Sequence, residues 1–138
     1  MNQTLILFPM LVLVGWTMSI LGLVGQRRLA AVQARQLRPG DFALGESGAV
    51  PPAVALPNRN FMNLMEVPVL FYVVSLTFYV TQQVTGPALL LAWTFVALRI
   101  AHTLVHLSYN KVLHRLGFFA AANFTLIALW IYLLMRLA

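Results

Sequence analysis

Residues 5–25 read LILFPMLVLVGWTMSILGLVG, an apolar run interrupted only by Thr17 and Ser19. A helix of this length rises roughly 31 Å at 1.5 Å per residue, enough to cross the hydrocarbon of a bilayer. A cleaved export signal is the rival reading. It requires a positive segment ahead of the apolar one, and MNQT carries none; nor does an A-x-A-like site follow. The run is therefore predicted to be a first transmembrane helix. It continues into QRRLAAVQARQLR (residues 26–38), where Arg27, Arg28, Arg35 and Arg38 mark the exit from the membrane.

The rest of the chain agrees with that start. Of 138 residues, 61% are hydrophobic and only 9% charged, too few to coat a soluble domain of this size. Mean hydropathy is +0.84. The chain contains no cysteine, which removes disulfides and protein thiolate chemistry. The net charge of +6 is read as basic membrane rims facing anionic lipid, or as a site for an anionic substrate, rather than as a nucleic-acid surface.

Pro39-Gly40 stops the first helix, and residues 39–57 form the one long loop, with three glycines and four prolines. Asn58 is a candidate N-cap for a second helix over about 58–82, with Pro68 as a mild kink. After QQVTGP a third helix is expected over about 87–113, and after HRLG a fourth over about 116–136. The expectation is one domain over residues 1–138, an all-α, integral membrane four-helix bundle. Arg27, Arg28, Arg35, Arg38, Arg59, Lys111 and Arg115 fall at one end and Arg136 alone at the other. The positive-inside rule then puts the 39–57 loop in the cytoplasm and both termini outside.

The polar groups within these spans are the candidate site. Arg59, Asn63 and Glu66 are spaced i, i+4, i+7 and would share one face of a continuous second helix. Arg99, His102, His106, Tyr109 or Asn110, and Leu113 likewise are spaced to share a face of the third. Ionisable groups at membrane depth cost several kcal/mol unless paired or wetted, so they face the bundle interior and mark function. Arg99 lies near the middle of its span, and Glu66 is the only carboxylate in any span, which makes Arg99 and Glu66 the expected structural ion pair. Such a pair could merely tie two helices together, but Asn63, His102 and His106 extend it into a polar track. Two histidines beside an arginine are too few for a metal, and all three histidines lie on or beside one helix, which argues against haem. No nucleophile triad or phosphate loop is present in pattern. A small drug/proton exporter would need an acidic residue in the first helix, and there is none.

RNFMNLME (residues 59–66) resembles the Arg-x3-Asn-x2-Glu signature of the MAPEG family, the membrane-associated proteins of eicosanoid and glutathione metabolism. RIAHTLVH (99–106) with KVLHR (111–115) is similar to the third-helix track of its prostaglandin E synthase branch, and GQRR (25–28) to the end of its first helix. With four spans and 138 residues, the resemblance covers nearly the whole chain, and it points to the microsomal glutathione transferase and prostaglandin E synthase branch. It implies a homotrimer binding glutathione between subunits, with Arg28, Asn63, Glu66, His102 and Arg115 at glutathione-contacting positions. It also implies Arg115 as the catalytic residue stabilising the thiolate. Lys111 and His106 join the candidate set, Lys111 as a cation for the tripeptide's carboxylates and His106 as part of the track. The chain departs from the family at His106, where a tyrosine is usual, at Leu116 for a serine, at Phe119 for a tyrosine and at Leu64 for an aspartate.

The expected function is a membrane-bound glutathione transferase or peroxidase acting on lipophilic electrophiles or lipid hydroperoxides, in a bacterial inner membrane. The partners would be a second and third copy of the chain, membrane lipid and a lipophilic small molecule. The alternative is a non-catalytic protein of the same fold that binds a lipid or small anion, motivated by the hydroxyls lost at residues 116 and 119.

Overall fold

The computed structural model of the chain describes residues 1–43, 45 and 48–138. Residues 44, 46 and 47 of the expected loop lie outside the described residues. Among the described residues five α-helices follow one another: α1 (Leu7–Gln33), α2 (Pro52–Met65), α3 (Pro68–Val80), α4 (Gly86–Leu107) and α5 (Val112–Leu137). They make four membrane-length spans, because α2 and α3 together form one, Pro52–Val80. The chain is thus an all-α membrane four-helix bundle, integral and multi-pass.

Helix α1 buries Pro9, Leu13, Thr17, Ile20 and Val24, a stripe with helical spacing, and turns Phe8, Leu11, Val12 and Met18 outward. Outward apolar side chains are what lipid requires, since acyl chains solvate them. The helix stops at Gln33, short of the expected 38. Arg35 takes φ 56°, and the Gln36 N–H reaches the Ala31 carbonyl at 3.0 Å, a helix-ending turn made without glycine. That turn folds Leu37 back onto Ala31, Val50, Val54 and Ala55.

The same small apolar cluster explains a second correction. Helix α2 begins at Pro52, six residues before Asn58, so Asn58 is an interior residue and not the N-cap. Pro52 suits the first turn, where its missing N–H costs nothing. Val54 and Ala55 bury against α1, and this burial carries the helix through Pro57.

The expected second helix is also divided. Glu66 has φ −87° and ψ −95°, outside the helical region, and α3 restarts with Pro68 in its first turn. A proline ring within a continuous helix would strike the carbonyl four residues earlier and remove a hydrogen bond. Pro68 therefore produces a break, where a mild kink was expected. Helix α4 ends at Leu107 rather than 113, and α5 starts at Val112 rather than 116, joined by a tight turn.

The core runs along the bundle axis. Phe71 and Phe95 stack with centroids 4.6 Å apart, and Ala88, Ala92 and Ala122 are fully buried. Small residues at these positions let helices approach closely, which is how membrane helices gain packing contacts. Since α4 and α5 are antiparallel across a short turn, the end of α4, the start of α5, the end of α1 and the start of α2 meet at one end of the bundle. The site lies there.

Candidate functional site

Helix α4 stays regular through residues 99–106, so the spacing read from the sequence survives. Arg99, His102, Thr103 and His106 are all buried. Arg99 has no solvent exposure at all. Its Nη2 donates to the backbone carbonyl of Asn63 at 2.8 Å and to Asn63 Oδ1 at 2.6 Å. The Phe119 ring lies 5.8 Å from its Cζ, within cation–π range. One turn nearer the basic end, buried Asn60 and Thr103 exchange hydrogen bonds at 3.2 and 3.3 Å. These two links fix α2 against α4 and set the register of the site.

Above Arg99 opens a cavity of about 400 Å³, within the range of small-ligand pockets. One side of it is polar, formed by Arg59, Asn63, His102, His106, Asn110 and Arg115. The other is apolar, formed by Leu56, Val112, Leu116 and Phe119. Among the described residues no carboxylate lines it. Among the described residues, both ring nitrogens of His106, Nδ1 of His102, and Nε and Nη1 of Arg99 find no hydrogen-bond partner within the chain. Buried polar groups of this kind cost free energy unless something pairs with them. A wall rich in donors, with no carboxylate among its described residues, favours an anionic ligand that brings acceptors.

The structure gathers Asn63, His102, His106 and Arg115 of the expected set around this cavity. It does not bring Arg28, Glu66 or Lys111 into the cavity wall. Arg28 stands on α1 with its guanidinium 4.9 Å from the centre of the Phe42 ring. Lys111 is exposed just before α5, and Glu66 is exposed at the α2–α3 break. Among the described residues Arg99 and Glu66, the expected ion pair, make no direct ion-pair contact; Asn63 holds Arg99 by hydrogen bonds, and Glu66 acts on its charge from further off. The reason is the break itself: with residue 66 off the helix, the i, i+4, i+7 face that would have carried Glu66 beside Asn63 ends at Met65.

Two features went unread in the sequence, and Asn110, placed on the third-helix face, was not read as the helix terminator that it is. The Asn60–Thr103 link joins residues 43 apart and has no local signal. Leu56 was assigned to the loop and proves to be a wall residue on α2. Asn110, with φ 49°, accepts from Arg115 Nη1 at 2.8 Å through its Oδ1. An asparagine just after a helix is a recognised left-handed terminator, so this one was available to sequence reasoning. Among the described residues no group of three or more His, Cys, Asp or Glu side chains converges as metal ligands would.

Compared with known protein families, residues 6–135 match the family described as the MAPEG family. No curated protein and no solved structure matches the chain.

Proposed function

This chain belongs to the MAPEG family, the membrane proteins of eicosanoid and glutathione metabolism, and from that membership and the cavity we propose that it is a glutathione-dependent transferase or peroxidase working on lipophilic electrophiles or lipid hydroperoxides. The observation that carries the reading is the convergence of Arg59, Asn63, His102, His106 and Arg115 on one cavity with no carboxylate among its described lining residues. Glutathione is anionic overall and brings two carboxylates and a thiol. Arg115, at the start of α5, is the cation for the sulfur. A thiol of pKa near 8.5 is mostly protonated at neutral pH, and a guanidinium beside it favours the thiolate by direct attraction. Arg59 and the buried histidines on the polar wall serve the peptide's carboxylates and carbonyls.

In a transfer, the thiolate forms a carbon–sulfur bond while the electrophile's leaving group departs with the electron pair. In peroxide reduction, the thiolate attacks one peroxide oxygen, the oxygen–oxygen bond breaks and the alcohol leaves. The resulting sulfenic acid condenses with a second glutathione to give the disulfide and water. Both reactions need a soluble nucleophile and a bilayer-dissolved partner at one place, which a cavity with one polar and one apolar wall provides.

Arg28, Lys111 and Glu66 lie outside the protomer's own cavity, and the reading assigns them to the same ligand through a homotrimer with the site between neighbouring copies. A carboxylate exposed within a membrane span, as Glu66 is, supports that assembly, since a neighbour or the glutathione ammonium would give it a partner. The basic end, with the 39–57 loop, faces the cytoplasm of a bacterial inner membrane in this reading, where glutathione is available.

Leu116 and Phe119 in the cavity wall favour one second reading, a non-catalytic protein that holds a lipid or a small amphipathic anion. Calorimetric titration of glutathione into the detergent-purified protein separates the two. Saturable binding that Arg115→Leu leaves in place, with the thiolate absorbance of the bound tripeptide shifted to higher pH in the variant, is the expected result. Absence of binding to the native protein transfers the site to the second reading.

A further inference from the structure

The turn between α4 and α5 places one residue under three separate demands. Asn110 adopts φ 49°, a left-handed conformation that residues with a Cβ rarely take. Its backbone N–H closes the end of α4 by donating to the Val105 carbonyl at 2.9 Å. Its side-chain Oδ1 accepts from Arg115 Nη1 at 2.8 Å. Glycine meets the first two demands as well as asparagine does, and more cheaply, because left-handed backbone costs it nothing. Only the third requires a side chain. Next to it, Tyr109 Oη and His114 Nδ1 lie 3.0 Å apart, closing a second bond across the same turn.

Resting on the function proposed above, we infer that Asn110 is a positioning residue that fixes the Arg115 guanidinium at the cavity and so sets how strongly a bound thiol is acidified. Arg115 is only half-buried, and a long side chain at a helix start is free to swing toward water. A charge that wanders loses its hold on the sulfur, because attraction falls with distance and with the water that enters between. Both residues line the cavity, so the bond lies at the site itself. The amide is suited to this work. Its carbonyl oxygen orients the guanidinium and leaves the positive charge intact, whereas a carboxylate at the same position would neutralise it.

Two variants of the full-length protein in detergent test the inference, Asn110→Gly and Asn110→Asp, each with glutathione as the probe. Thermal midpoint and calorimetric affinity are measured beside the thiolate absorbance of bound glutathione across pH. The expected result for Asn110→Gly is an unchanged thermal midpoint, affinity within a few-fold, a thiolate titration moved to higher pH, and conjugation with a small electrophile at neutral pH slowed on the order of tenfold. Asn110→Asp is expected to move the titration further the same way, since its carboxylate competes for the guanidinium. Glutathione binding in Asn110→Gly with the native titration and rate would overturn the inference and leave the proposed function standing. So would failure of both variants to fold, which would make the residue a structural cap. Failure of the native protein to bind glutathione removes the proposed function first, and this inference with it.

Discussion

The two halves of the bundle share the same helices and are stabilised in opposite ways. Toward the α3–α4 turn the interior is mostly apolar, with Ser75 the buried polar residue on α3: Phe71 stacks on Phe95, Phe78 lies 6.3 Å from Tyr132, and Ala88, Ala92 and Leu129 are fully buried. Side-chain bonds between helices there lie at the rim, where Thr85 meets Tyr132 at 2.9 Å and Arg136 reaches Gln83 at 2.9 Å. Toward the α4–α5 turn the interior holds Arg99, Asn60, Thr103, His102 and His106, all buried. The first half is a packed joint. The second carries polar groups that weaken packing, and it holds together through the Asn63–Arg99 and Asn60–Thr103 bonds. Apolar packing in the first half is therefore expected to carry stability, and the polar half to carry binding.

The sharpest break in that division is a truncation in the packed half. Phe95→Ala removes a fully buried ring from its stack with Phe71 and should cost about 3–5 kcal/mol, read as a large fall in thermal midpoint in detergent. In the fraction that remains folded, glutathione affinity should stay near native. A large loss of affinity in that folded fraction would show that the halves are not separable.

The next largest effect lies at the boundary. Asn63→Ala takes both the side-chain acceptor and the local restraint from Arg99, which then has fewer partners for a buried charge. A hydrogen bond to a charged group is worth about 1.5–3 kcal/mol, and a loss in that range is expected. Because Asn63 also lines the cavity, affinity should fall together with stability. Stability lost with affinity intact would assign Asn63 wholly to the scaffold.

Asn60→Ala should cost less, about 1 kcal/mol, since the two bonds that it breaks with Thr103 are neutral and long, and the Thr103 hydroxyl is left to find another acceptor. It touches no cavity residue's charge, so the thiolate titration of bound glutathione should not move. A shifted titration would mean that the register of α2 on α4 is transmitted to Arg115.

What could be read in advance follows the regularity of the backbone. The four spans were legible because long apolar runs admit few alternatives in a bilayer. The α4 track was legible because that helix is unbroken, so the spacing of Arg99, His102 and His106 is also their geometry. On the second span the same arithmetic failed at Glu66, because Pro68 ends the regular backbone two residues too soon. The start of α2 was missed because Pro57 reads as loop, while tertiary burial of Val54 and Ala55 overrides that local preference. The proposed homotrimer, and the ligand contacts proposed for Arg28, Glu66 and Lys111, would lie on surfaces beyond one protomer, which helix periodicity does not describe.

Glu66 gives the smallest stability effect and the most informative sign. Its side chain is exposed on the protomer, makes no hydrogen bond there among the described residues and acts on buried Arg99 only from a distance, so Glu66→Gln should change the protomer's fold by no more than about 0.5 kcal/mol. The substitution keeps the shape and removes the charge. If that charge faces lipid, its removal relieves a cost, and the thermal midpoint should rise while glutathione affinity stays the same. If a neighbouring copy or the glutathione ammonium meets it, removal loses an attraction. The assembly should then dissociate at lower detergent concentration, and glutathione affinity should fall several-fold. The second outcome is the expected one, because a carboxylate left to lipid at this depth would be a cost without a return. Light scattering and calorimetry on the same preparation read both quantities. A raised midpoint with native affinity would place Glu66 on the lipid face and remove it from the site.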